Sequence, residues 1–355
     1  MWFITLIVFI LILGIIVLVH ELGHFFWAKK FGVYIYEFSI GMGPVIFSKK
    51  GKKDGITYNI RAFPIGGFVA MAGEVYEDGE NLPKDRYLCN KPIWQRIIVM
   101  AAGVVNNFLT AIILLFVLAL FWGSTSLEPK VAQVVEGYPM AEAGIVKDDL
   151  IVSINGKKVN TWDEAQIVLY YKNDKDFYEF RIRHIDGTEE NYKITPVVEK
   201  NEEGIETKIF GVHINQEETL GLWNKIKYAF EKFWTTIVTM WMTIAGLVTG
   251  KISLDALSGP VGIYTVVGQT LSGPSIMASL YSVLFLVAYL SINVGVINII
   301  PFPAFDGGRI FFLLIEKIKG SPVNQKFENL CHTIGFILLM LLIVFITIKD
   351  IINLF

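Results

Sequence analysis

At 355 residues the chain could hold two or three domains, yet it is 53% hydrophobic and 18% charged, with a mean hydropathy of +0.51, which excludes an ordinary soluble protein. Its formal net charge of −2 excludes nucleic acid as the main partner, because phosphate binding needs a strong basic excess. Two cysteines, Cys89 and Cys331, exclude a disulfide framework and a thiolate zinc cluster.

The apolar residues are gathered into blocks. Met1 to Val19 carry no charge, and Ile97–Leu127, Ala256–Phe305 and Asn329–Ile348 are also free of Asp, Glu, Lys and Arg. A bilayer core of about 30 Å takes roughly 20 helical residues, so each block can hold a span. Four spans are expected, at about 4–27, 95–122, 279–300 and 333–354. The first has neither the basic n-region nor the small-residue cleavage site of a signal peptide and reads as a retained helix. The chain then divides at 1–27, 28–93, 94–122, 126–215, 219–278, 279–332 and 333–355.

The connection from Ala28 to Arg96 carries eleven Lys and Arg, whereas none precedes the first span. The positive-inside rule puts this connection in the cytoplasm and the N-terminus outside. Residues 123–278 then lie outside, and the 301–332 loop returns to the cytoplasm. Val33–Ile40, Val45–Phe47 and Ile56–Ile60 are β-rich runs parted by Gly41-Met-Gly-Pro44 and the basic turn Lys49–Gly55. Their apolar tips suit a hairpin that dips into the membrane, where protein must shield its backbone.

Beyond the second span, 126–215 reads as a small α+β module. Strands are expected at Val131–Val135 and Leu150–Ile154, helices at Ala141–Gly144 and Trp162–Tyr170, and two more strands around Asp186-Gly187. Phe233–Gly250 is apolar over 18 residues, but Phe233, Trp234, Ile237, Met240, Trp241, Ile244 and Val248 recur at helical spacing while Thr235, Thr239 and Thr243 line another face. With Lys225, Lys227 and Lys232 before it, this segment reads as an amphipathic helix in the interface, within 219–278. Were it to span, Asp306 would fall on the opposite side of the membrane from His20.

The chemistry is carried by His20-Glu21-Leu22-Gly23-His24, an H-E-x-x-H pattern. On a helix, positions i and i+4 share a face, so both imidazoles can bind one Zn²⁺, and Glu21 projects beside it to take a proton from water. At 1.5 Å per residue His20 lies about 30 Å from the chain start, near the inner boundary of the hydrocarbon. A helix end whose polar groups reach the headgroups is the plainer alternative, but Lys29 and Lys30 already serve that purpose.

Two histidines and a water leave a tetrahedral zinc one ligand short. Glu37 and Glu74 are candidates by sequence distance. Asp306 is better placed, since it follows the third span in Asn298-Ile-Ile-Pro-Phe-Pro-Ala-Phe-Asp-Gly-Gly308 on the same membrane side as His20. An N-cap or an Asp-Gly turn opening the next helix would also account for it. Asn293 reads as a buried helix–helix hydrogen bond, and Asn298 can be one too. His184 and His213 read as surface or satisfied histidines, and His332 either as interfacial or as an outer partner that orients a metal ligand. Ala143, Gly144 and Ile145 could cradle a peptide end, although a helix C-cap explains the glycine equally well.

H-E-L-G-H in the first span, the Asn-x-x-Pro-x-Pro-x-x-Asp-Gly run and the intervening module together resemble the bacterial site-2 proteases. So do Gly41-Met-Gly43, Pro64-Ile-Gly-Gly67, Ala102-Gly103 with Asn107, and Ser258-Gly-Pro-Val-Gly262. The resemblance implies a polytopic α-helical membrane protein with about four transmembrane helices, a cytoplasmic membrane-dipping β-hairpin region and an extracytoplasmic PDZ-like α+β domain. It implies Asp306 as third zinc ligand beside His20 and His24, Glu21 as catalytic base, and Asn298 touching substrate backbone while the Val33–Met71 region adds substrate as a strand. The location implied is the bacterial plasma membrane, with the active site on the cytoplasmic side. The partners implied are the lipid bilayer and single-pass transmembrane substrates such as anti-sigma factors or signal-peptide remnants, first shortened by an upstream site-1-type protease. Val104 stands where the family pattern has Pro, and a single PDZ-like module fits where some relatives carry two. A non-catalytic membrane scaffold is the rival reading; it needs neither the H-E-x-x-H motif nor a third ligand.

Overall fold

The computed structural model describes residues 2–52, 54–74, 82–173, 175–200, 206–214 and 218–352. Lys53 of the expected basic turn, position 215 at the end of the expected module and the last residues of the expected fourth span lie outside the described residues. The chain forms two compact units, one from 1–114 with 257–355 and one from 115–256.

Among the described residues, four helices are long and apolar enough to cross a membrane: α1 (Trp2–Lys30), α2 (Ile93–Trp122), α7 (Ile276–Ile299) and α9 (Gln325–Ile352). In hydrocarbon every backbone N–H and C=O must pair internally, so these runs fold as helices whatever their individual propensities. The helix α1 ends where Lys29 and Lys30 meet its negative dipole end and Gly32, at φ 71°, turns the chain away. The helix α9 begins several residues before the expected span, because Lys326, Glu328, Asn329 and His332 form a polar first stretch that hydropathy alone does not assign to it.

In the first unit, α1 is followed by β1 (Ile35–Lys50) and β2 (Thr57–Met71), both longer than their β-rich cores. The register pairs Lys50 with Thr57 and Ile35 with Met71, while Glu37–Ile40 meets both Thr57–Ile60 and Gly67–Ala70. The central stretch of β1 is therefore flanked on both sides, and 67–70 forms an edge. Val33, Ile35, Phe38, Ile56, Val69 and Met71 pack with Ala28, Val99 and Met100 into one core. Met42, Val45, Ile46, Phe47 and Phe63 at the far end stand exposed.

The same unit holds a helix that the sequence did not set apart. Helix α6 (Pro260–Leu271) lays Ile263, Tyr264, Val267 and Leu271 against Phe9, Ile12 and Ile16 of α1. Its N-terminus is closed by a carboxylate from the other end of the chain: Asp350 Oδ2 accepts the Gly259 and Gly262 N–H groups at 2.8 and 2.9 Å. A Cβ on Gly259 would stand 2.9 Å from that oxygen, and one on Gly262 would stand 3.2 Å from it, so the Ser-Gly-Pro-Val-Gly run is the glycine spacing this cap needs. Helix α8 (Asp306–Lys319) ends at Gly320, whose φ of 76° closes it.

The second unit contains a four-stranded sheet of order β5-β4-β6-β7, formed by β4 (Leu150–Ile154), β5 (Lys157–Lys158), β6 (Tyr178–Arg183) and β7 (Glu189–Ile194). Two small ladders, β3 (Val131–Val134) with β10 (Val212–Ile214) and β8 (Val197–Lys200) with β9 (Glu206–Ile209), accompany it. Its core is Val131, Ile145, Ile151, Ile154, Tyr178, Phe180, Ile182 and Ile194. The helices are α3 (Pro139–Glu142) and α4 (Trp162–Tyr170); Thr161 caps α4 by accepting the Glu164 N–H, and Glu164 reaches back to the Asn160 N–H. Helix α5 (Leu222–Val248) is tied to the module by Lys232–Asp163 and by Tyr171 Oη donating to Met242 O at 2.7 Å. Trp223, Phe230, Trp234, Trp241 and Val248 form an exposed stripe on its outer face, and it is not among the four helices apolar enough to span.

Candidate active site

The face of α1 that buries Phe9, Ile12 and Ile16 continues through His20, Gly23 and His24, so core packing aims both imidazoles inward. Their Nε2 atoms stand 3.1 Å apart. Asp306, the first residue of α8, brings Oδ2 to 3.1 Å from His20 Nε2 and 3.4 Å from His24 Nε2. Beyond these two nitrogens, Oδ2 meets no hydrogen-bond partner among the described residues. The N-cap of α8 is Phe305 rather than Asp306, so Asp306 is not the capping residue of this helix.

Two nitrogens and one oxygen at these separations fit zinc. Bonds of about 2.0–2.2 Å at tetrahedral angles set ligand atoms about 3.3 Å apart, and three protein ligands leave the fourth position open. His24 Nδ1–H donates to Val99 O at 2.8 Å, which turns the Nε2 lone pair toward the cluster. His20 Nδ1 faces the Asn107 carboxamide. The two helices can approach this closely because glycines meet: a Cβ on Gly103 would lie 2.5 Å from His24 Nε2, and one on Gly23 would strike the Ala102 backbone. Asn106 Nδ2 donates to Val19 O at 3.1 Å and fixes the register of the crossing.

The Asp306 loop is held from several directions. Ala304 takes a left-handed φ of 97°, unfavourable for a residue with a Cβ, and its N–H donates to His332 Nδ1 at 3.2 Å. Gly335 of α9 packs against the Pro303 backbone, and Gly307 and Gly308 press on Ile299 and Phe302 carbonyls where no side chain would fit.

A cavity of about 320 Å³ opens at the cluster, lined by His20, Glu21, His24, Phe68, Asn298 and Asp306. Gly67 on the edge stretch of β2 lies beside Glu21: a Cβ there would meet the Glu21 Cγ at 3.5 Å. Asn298 lines the cavity, and its Nδ2 donates to Val294 O at 3.0 Å within its own helix. Asn293 Oδ1 is buried without a partner, so the helix–helix bond expected of it is not made through that oxygen.

The chain matches the family model described as Peptidase family M50 over residues 8–342. The chain belongs to peptidase family M50, the site-2 protease family. The regulator of sigma-W protease RasP of Bacillus subtilis is 32% identical over 428 residues, and the zinc metalloprotease RasP of Bacillus licheniformis is 33% identical over 431, each match covering 99% of both chains. A Fusobacterium nucleatum protein whose name carries the words zinc metalloprotease is 40% identical over 359 residues, again 99% of both chains. The protein is therefore a zinc metalloprotease of the site-2 type.

The other carboxylates weighed as ligands have different partners in the protease. Glu37 pairs with Arg61 at 2.5 Å and also accepts from Ser39. Glu74 lines the cavity but pairs with Arg309. His184 is satisfied by Asp149 at 3.0 Å and Tyr192 at 2.9 Å. Gly144 sits just past α3 with φ 81°, and Ile145 is buried at 1% exposure in the module core. Val99 and Arg309 carried no expectation as site residues, while Gly103 entered only through the Ala102-Gly103 pair of the resemblance and His332 as an alternative outer partner of the site. For Arg309 the signal was an arginine three positions after Asp306 in an otherwise apolar stretch.

Proposed function

We propose that the protease hydrolyses peptide bonds in or near the transmembrane segment of single-pass proteins, with His20, His24 and Asp306 holding one Zn²⁺ and Glu21 moving the protons. The reading is carried by the convergence of the three ligand atoms at the buried end of an apolar helix. Zinc at that position supplies Lewis-acid polarisation and a water of lowered pKa. Glu21 takes a proton from the attacking water on its carboxylate and delivers it to the leaving nitrogen. A helical substrate hides its amides, so it must be unwound to reach Glu21. The edge stretch Gly67–Ala70 offers backbone groups beside Glu21, where an extended substrate can add as a strand, and Asn298 lines the same cavity.

By charge pattern the 28–93 connection is cytoplasmic and the 126–215 module extracytoplasmic. The strand and helix order of that module supports a PDZ-like domain that admits substrates already shortened by an earlier cut. Ala143 and Gly144 remain the residues proposed to receive a peptide end, with Ile145 supporting them from the core. One Bacillus relative is named as a regulator of sigma-W protease, and an anti-sigma factor is accordingly the substrate class to test first. The exposed Trp and Phe stripe of α5 suits a helix lying in the interface.

The test is cleavage of a shortened single-pass substrate by the purified protein, beside Glu21→Gln and a zinc chelator. Cleavage by the untreated wild type alone supports the proposal. Equal cleavage by Glu21→Gln removes Glu21 from the chemistry, and a wild type that holds no zinc and cuts nothing returns the scaffold reading.

A further inference from the structure

His20 can offer Nε2 to a metal only if its neutral ring carries the proton on Nδ1. For His24 that choice is made by the Val99 carbonyl. At His20 Nδ1 the polar neighbour is the Asn107 carboxamide, whose Nδ2 stands 3.3 Å away. Asn107 is fully buried at 0% exposure, and its Oδ1 meets no partner among the described residues. An NH₂ group accepts nothing, so with the metal-binding tautomer this arrangement would set N–H against N–H. The oxygen and nitrogen ends of a carboxamide occupy the same shape, and its hydrogen-bond partners decide which faces where.

We propose that Asn107 is a positioning residue of the zinc site: its Oδ1 accepts the Nδ1–H of His20 and so keeps Nε2 unprotonated and aimed at the metal. The proposal rests on His20 being a zinc ligand. It draws support from the spacing on α2. Val99, Gly103 and Asn107 recur every four residues on one face, the first holding His24, the second lying against both rings and the third meeting His20. One stripe of α2 thus orients both imidazoles, by a backbone carbonyl at one and a side-chain carbonyl at the other.

Two variants separate orientation from packing. Asn107→Leu keeps the approximate volume and removes the acceptor; Asn107→Asp keeps an acceptor. In the full chain in detergent, zinc competition against a chromophoric chelator should show affinity about 10–100-fold weaker for Asn107→Leu and near wild type for Asn107→Asp. Imidazole ¹⁵N spectra of the metal-free chain give a readout independent of zinc and of cleavage. They should show His20 protonated at Nδ1 in wild type and Asn107→Asp, and mixed tautomers in Asn107→Leu. The proposal is overturned if Asn107→Leu binds zinc as wild type does, if Asn107→Asp is as weak as Asn107→Leu, or if wild-type His20 carries its proton on Nε2. Should Asn107→Leu fail to fold, the wild-type and Asn107→Asp spectra still decide the bond. A wild type without zinc would sink the ligand reading itself and leave the spectra to judge the Asn107–His20 contact.

Discussion

The proposed roles of His20, Glu21 and His24 rest on five consecutive residues, because a zinc pair on a helix needs a fixed spacing and a base beside it. Glu21→Gln should keep zinc bound while cleavage slows about 10²–10⁴-fold, read as zinc per chain against initial rate. What the sequence could not show is why α2 lies where it does. Gly103 is silent in composition, since its role is to have no Cβ where two imidazoles approach, and the Val99 carbonyl has no sequence signature at all. Gly103→Ala would put a methyl 2.5 Å from His24 Nε2 and 2.7 Å from His20 Nε2. With His24 pinned through Nδ1, the rings cannot both yield, so zinc affinity should fall by about 10–100-fold while the helices remain formed. Metal analysis of the purified variant beside its circular dichroism checks this.

Among the elements, the four apolar helices and most strands of the inserted module fell near their expected places, since hydropathy and turn residues act locally. The sheet of 28–93 was read only as short runs, because the double partnership of Glu37–Ile40 depends on pairing between distant residues. Burial works to raise the pKa of Glu37, but hydrogen bonds from Ser39, Arg61 and Asn59 outweigh it and hold the carboxyl below its ordinary 4.5. A depressed carboxylate stabilises the fold above its unfolded value and loses that contribution as pH falls through the folded one. The unfolding-temperature gap between wild type and Glu37→Gln should therefore be full at pH 7 and close as pH drops below 4.5. Helix α6 was missed because its start is defined by Asp350, about 90 residues downstream. Asp350→Ala strips two N–H groups of a charged acceptor and should destabilise the first unit by on the order of 2 kcal/mol, with Asp350→Asn milder; thermal unfolding of both variants reads the difference.

Across the whole molecule, the catalytic unit is assembled from two chain segments, 1–114 and 257–355, with the 115–256 unit inserted between them. The inserted unit has its own core from Val131 to Phe210, onto which Met242 packs. A fragment of residues 123–256 should unfold cooperatively by circular dichroism and bind no zinc; a fragment that stays unstructured would contradict an independent core. The sequence by itself determined the four apolar helices, the first strands of the module, and two histidines one helical turn apart with a glutamate between them. Each of these follows from hydropathy, helical spacing or turn chemistry within a few neighbouring residues. Only the tertiary structure decided that Asp306 closes on the histidine pair while Glu37 and Glu74 go to arginines. It alone showed that Asp350 caps α6 and that glycines let α1 and α2 touch. Those choices rest on contacts between residues tens to hundreds of positions apart, and packing rather than local propensity selects among the partners a sequence leaves open.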